Sequence, residues 1–118
     1  MNTRDHHQLA DLLAELSASG PAYREFIRVP SMSVGVYRLR PGDVDGQQPH
    51  TEDEVYYVVR GRATFVRGPE GLVESQAVST GSILFVEHGV EHRFIDVVEE
   101  LVLLVFFAPA EYSAKKPE

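Results

Sequence analysis

The sequence predicts an all-β domain of about eight strands, folded as a sandwich or a barrel, with one short α-helix attached at its N-terminus. Three observations carry this expectation. From Tyr23 onward, short runs rich in Val, Ile, Phe and Tyr alternate with Gly, Pro and Asp at short intervals, the pattern of strands joined by tight turns. Only one stretch, ahead of those runs, repeats apolar residues at helical spacing. A length of 118 residues with 43% hydrophobic content suits one compact core and leaves no room for a second.

The helix is expected over roughly Asp5 to Ser17, where Leu9, Leu12, Leu13 and Leu16 recur at the i, i+3, i+4, i+7 spacing and form a stripe for packing. Asp5 with Gln8 three residues later is a candidate cap, and Gly20-Pro21 is a stop signal. Strands are expected near 23–29, 32–40, 54–60, 62–67, 72–78, 83–86, 92–96 and 100–108. Turns are expected at Pro41-Gly42-Asp43, Gly61, Gly68-Pro69-Glu70-Gly71, Gly81 and Gly89. The run from Leu101 to Phe107 shows no polar alternation, so both of its faces should be covered, one by the interior and the other by the N-terminal helix or a partner subunit. The chain thus divides into a helical appendage (1–20), a β domain (21–112) and a polar tail (113–118).

Charge and composition narrow the function. A net charge of -7 opposes nucleic acid or anionic membrane as the main partner, since both demand a basic footprint, and favours a small-molecule ligand. The N-terminus has no apolar leader and no apolar run is long enough for a membrane helix, so a cytoplasmic protein is expected. With no cysteine, disulfides, thiolate nucleophiles and sulfur-ligated zinc are excluded together. Any metal must sit on nitrogen and oxygen.

Two stretches carry the chemistry. In Gln48-Pro49-His50-Thr51-Glu52-Asp53-Glu54, an imidazole precedes by four residues a carboxylate that opens an apolar strand, Val55-Tyr56-Tyr57-Val58-Val59, ending at Gly61. That strand carries Glu54 toward a core where an unpaired charge costs on the order of several kcal/mol; a bound cation removes the cost, and a metal-free polar cluster is the alternative. The second stretch runs from Gly81 through Ile83-Leu84-Phe85-Val86 and a turn, Glu87-His88-Gly89, to His92 at the head of the next strand. If the two strand pairs are neighbours in a barrel, His92 faces His50 and Glu54 across the interior.

These stretches resemble the two motifs of the cupin superfamily. Gln48, His50, Glu54 and Gly61 fall at the positions of the first motif, with Gln48 where the family has a histidine; Gly81, Glu87, Gly89, His92 and Asp96 fall at those of the second, with Glu87 for the usual proline and Asp96 for asparagine. The resemblance covers roughly Pro41 to Asp96 and implies a double-stranded β-helix (jelly-roll) barrel holding one divalent metal ion on His50, Glu54 and His92. Gln48 is then either a weak fourth ligand or a hydrogen-bonding neighbour. Two histidines and one carboxylate resemble the set used in non-haem Fe(II) oxygen chemistry, with Mn, Ni, Cu and Zn also compatible with N/O donors. The implied function is a small metal-binding cupin acting on a small organic molecule, most simply a dioxygenase-type enzyme. A non-catalytic ligand-binding protein and a structural dimer with a vestigial site are the alternatives.

Other residues are assigned more loosely. Tyr56 shares strand parity with Glu54, and Phe94 with His92, so both should point inward, lining a pocket or filling the core. Arg38 and Arg40 alternate on one strand face, either clamping a substrate carboxylate or facing solvent. Glu52-Asp53 is expected at the mouth of the site. His88 and Glu87 should be exposed in their turn, and His6 and His7 should lie in a solvated first helical turn. Edge strands and the doubly apolar C-terminal strand favour a homodimer.

Overall fold

The computed structural model describes residues 5–16, 18–47, 49–69 and 73–113. Its elements are α1 (Leu9–Ala14), β1 (Ala22–Val29), β2 (Met32–Leu39), β3 (Asp53–Arg67), β4 (Glu74–Ser79), β5 (Ile83–Val86) and β6 (His92–Ala108). All strand pairs are antiparallel. They follow the order β1-β2-β6-β3-β4, with β5 added to the first half of β3, and make a double-stranded β-helix.

The spine is a pair of long strands. β3 and β6 run against each other from Asp53 opposite Ala108 to Arg67 opposite His92. The separate strands expected at 54–60 and 62–67 are therefore one strand, as are those at 92–96 and 100–108. Gly61 explains the first fusion, because the chain does not turn there but bulges, with register shifts between Val58 and Thr64. Gly61 has φ +100°, and a Cβ at this position would lie 2.2 Å from the Glu100 carbonyl oxygen, so only glycine fits. On β6 the irregularity falls near Asp96, whose φ of 51° is a left-handed conformation that Asp and Asn tolerate best.

Alternation along these strands sorts residues to two faces. Inward go Leu39, Tyr56, Val58, Phe65, Leu84, Val86, Phe94, Leu101, Leu103, Val105 and Phe107, which form the main core. Burying each such side chain contributes roughly 1.5–3 kcal/mol. Outward, Val36 and Val102 pack with Leu12, flanked by Leu9, Leu13, Leu16 and Leu104. In the apolar run of β6, Leu101, Leu103, Val105 and Phe107 thus face the interior, while Val102 and Leu104 are covered by the leucine stripe of α1.

The helix is shorter than the periodicity suggests. It starts after Gln8, whose side chain makes no capping hydrogen bond, so the Asp5–Gln8 cap is not formed. Ser17, at the expected end, lies outside the described residues, as do the expected first strand residue 72 and the tail from 114 onward. Among the described residues no helix is long and apolar enough to cross a membrane.

Candidate metal centre

Each of the three central residues is placed by strand parity and by a local tether. Glu54 is the second residue of β3, opposite Val86 on one side and Phe107 on the other, and its parity with Tyr56 and Val58 turns it inward. His92 opens β6. His50 lies in the approach to β3, where its carbonyl accepts the Gly89 N–H at 2.8 Å. Asp53 accepts the His88 N–H at 2.9 Å, so the turn before β6 is stitched to the start of β3 at two points.

The result is convergence in a dry interior. Side chains of His50, Glu54 and His92 are 6%, 1% and 0% exposed. One donor atom from each lies within 4.8 Å of the others. Glu54 Oε1 is the shared vertex, 2.9 Å from His92 Nε2 and 3.4 Å from His50 Nδ1. Both Glu54 oxygens and His50 Nδ1 are buried without a hydrogen-bond partner. Buried polar atoms are almost always paired, and an orphaned carboxylate facing two imidazoles is the donor set of a divalent cation. The residues present therefore fit a metal ion of the N/O-binding type.

The outer atoms of the imidazoles are fixed. His92 Nδ1 donates to the Val90 carbonyl at 2.9 Å, which leaves its Nε2 toward Glu54. Tyr56 Oη lies 3.0 Å from the same Nε2 and donates to Gln47 Oε1 at 2.8 Å. His50 Nε2 is 2.8 Å from Glu111 Oε2. Burial alone would push His50 down, but its hydrogen bond to Glu111 and the nearby carboxylates of Glu54 and Glu111 lift its pKa to about 9. Burial likewise works to raise Glu54, and the two imidazoles overcome it and hold the carboxyl below its usual range.

A cavity of about 320 Å³ opens beside His50, lined by Tyr23, Tyr37, Gly46, Gln47, Val105, Phe107, Glu111 and Tyr112. It is not lined by the pocket residues expected from the sequence. Tyr56 and Phe94 are fully interior, packed edge to face at 5.1 Å within the core. Arg38 shares parity with Val36 rather than with Tyr37 and Leu39, so it is on the outer face; it is neither a substrate clamp in this cavity nor solvated, being 5% exposed. Glu52 is not at the mouth. It is 2% exposed and accepts the Tyr112 N–H at 2.5 Å and the Thr51 hydroxyl. Asp53 is half exposed beside His88. Gln48 lies outside the described residues.

Three residues around the site carry no signal in the sequence. Asp45, 6% exposed, accepts from Tyr37 Oη at 2.7 Å, from the Phe94 N–H at 2.9 Å and from Gln47 Nε2 at 2.8 Å, pinning the loop before His50 to β2 and β6. Glu111 and Tyr112 come from beyond the last strand; the Tyr112 ring stacks on His50 at 5.3 Å. Only their pairing of a carboxylate with an aromatic outside the strand pattern could have drawn notice.

The cupin domain model matches residues 35–107. A Streptomyces coelicolor protein, uncharacterized protein SCO3923, is 44% identical over 104 residues, which cover 88% of this chain and 95% of its own. An uncharacterized conserved protein with a double-stranded β-helix domain from Klebsiella pneumoniae superposes with a TM-score of 0.72 at 20% identity, over 88% of this chain and 90% of that one. Fe(II)-HppE with an alternative substrate superposes with a TM-score of 0.65 at 21% identity over 75% of this chain, which spans 49% of the length of HppE. At these identities the two structures share a fold with this chain.

Proposed function

The chain belongs to the cupin domain family, and from that scaffold and the buried cluster within it we propose a mononuclear metal enzyme that acts on a small organic molecule, with dioxygenation as the reaction class. The observation that supports this best is the orphaned Glu54 carboxylate between two imidazoles in the dry interior. His50, Glu54 and His92 would hold a divalent ion, Fe(II) by preference and Mn, Ni, Cu or Zn by compatibility, which supplies Lewis acidity and, where redox-active, one-electron chemistry toward O₂.

The chain's own residues do the rest. Val90 orients His92. Tyr23, Tyr37, Phe107 and Tyr112 wall a cavity of about 320 Å³, which has room for a small organic ligand and sheds water when filled. A homodimer is part of the proposal, supported by an outer apolar patch of Tyr57, Ile83 and Phe85, which are 38%, 70% and 56% exposed. Light scattering should then give about twice 13.2 kDa.

The test is metal analysis of protein purified without chelator, followed by oxygen uptake with diketones, thiols and catechols. The expected result is about one ion per chain, lost in His92→Ala, and uptake with one substrate class. Metal-free wild-type protein that stays metal-free on incubation with Fe(II), Mn(II) and Zn(II) would sink the proposal; metal without any uptake would reduce it to a ligand-binding protein.

A further inference from the structure

We propose that Glu111 is a positioning residue for the metal, holding His50 so that Nδ1, and not Nε2, is the atom presented to the ion. This rests on the reading that His50, Glu54 and His92 bind a divalent cation. The geometry is specific. His50 Nε2 is 2.8 Å from Glu111 Oε2, while Nδ1 is turned to Glu54 Oε1 at 3.4 Å and is buried without a hydrogen-bond partner. A carboxylate only accepts, so the proton of a neutral His50 belongs on Nε2 and its lone pair on Nδ1. His92 is arranged in the mirror sense: Nδ1 is spent on Val90 and Nε2 faces Glu54. Each imidazole thus has one nitrogen anchored and the other directed at the same oxygen.

Glu111 acts through His50 and is not in the set of mutually close donors itself. Its carboxylate, 14% exposed, also adds a second negative charge beside that of the 1% exposed Glu54 to offset a dication.

The backbone around Glu111 is fastened at three points. Its N–H donates to Ser33 Oγ at 2.8 Å, its carbonyl accepts Arg28 Nη2 at 2.9 Å, and the next N–H, of Tyr112, reaches the buried Glu52. The segment after β6 is therefore a strap that places one carboxylate on one imidazole. Supporting partners of this kind typically contribute about 10–100-fold to metal affinity.

The experiment uses the full chain and zinc alone as the probe. Zinc affinity is measured by chelator competition for wild type, Glu111→Gln and Glu111→Ala, with thermal melts of the metal-free forms as a folding control. Long-range ¹⁵N–¹H correlations of the histidine rings then identify the metallated nitrogen in the zinc-loaded wild type. The expected result is Nδ1 metallation and Nε2–H on His50, an affinity loss on the order of 10–100-fold in Glu111→Ala, and a smaller loss in the isosteric Glu111→Gln. Nε2 metallation of His50 in wild type, or equal affinity in all three folded proteins, overturns the inference. A wild type that takes up no zinc, iron or manganese overturns the metal reading itself.

Discussion

Two clusters in this molecule share a layout, one carboxylate between two nitrogen-bearing side chains, and have opposite settings. Inside, Glu54 lies between His50 and His92, all three at most 6% exposed. Outside, Glu100 of β6 lies between Arg60 of β3 at 2.6 Å and Arg40, just after β2, at 3.5 Å, with side chains 34%, 55% and 41% exposed; Arg40 also reaches the Ala18 carbonyl. The outer carboxylate is satisfied by its arginines and is partly exposed, and such a pair contributes about 0–1 kcal/mol. The inner one has short contacts to two nitrogens and no hydrogen bond. The difference is set by burial together with the nitrogen chemistry: a guanidinium is always a donor and pairs with an exposed carboxylate, whereas a neutral imidazole keeps a lone pair for an ion.

Breaking the inner cluster should have the largest effect. Glu54→Gln should weaken metal binding by more than the roughly 100-fold upper range for a supporting group, read by chelator competition. Chelator should lower the melting temperature of the loaded wild type, because free ion at 100 times its Kd stabilises by about 2.7 kcal/mol, and should leave Glu54→Gln unmoved. Next comes the bulge that separates the two clusters: Gly61→Ala should cost about 1–3 kcal/mol in denaturant unfolding, because its φ and the Glu100 carbonyl both exclude a Cβ. Tyr56→Phe removes the hydroxyl between Gln47 and His92 and should cost about 1 kcal/mol in the metal-free protein.

The outer cluster should respond least. Arg60→Met should change stability by about 1 kcal/mol or less. Its signature is the pH profile. The hydrogen bond from Arg60 holds the Glu100 carboxyl below its usual range, so the unfolded chain binds this proton more tightly. The contribution is complete above the unfolded value of about 4.3 and disappears as pH falls through the lower folded value. Unfolding curves from pH 6 to pH 3 should lose less stability in Arg60→Met than in wild type.

How much of this was legible depended on whether the signal was local. Glu54 and Tyr56 read correctly as inward because alternation along one strand is a local rule, and the run from Leu101 read correctly as covered on both faces through Val105 because the lack of alternation is equally local. Gly61 was legible as a backbone special but not as a bulge, since a glycine marks either a turn or a bulge and only the pairing with β6 decides between them. Arg38 fails because parity gives two faces without saying which is inside; its neighbours Tyr37 and Leu39 took the interior. Glu52 was placed at the mouth and is buried instead, and Glu111 drew no notice, because a carboxylate outside the strand pattern looks solvated until the segment after β6 folds back onto His50 and the residues before β3. Asp45 is the same case, a loop acid whose partners, Tyr37 and Phe94, come from distant strands.

The full-length pairing of β3 with β6 also bears on how the protein acquires its site. His50 and Glu54 are near neighbours in the chain, but His92 arrives only when two segments divided by two intervening strands have found each other, and domains dominated by such distant pairings fold in milliseconds to seconds. During that search the chain offers an ion at most a bidentate grip. Cation capture should therefore follow barrel closure, and abundant free ion should slow unfolding more than it speeds folding.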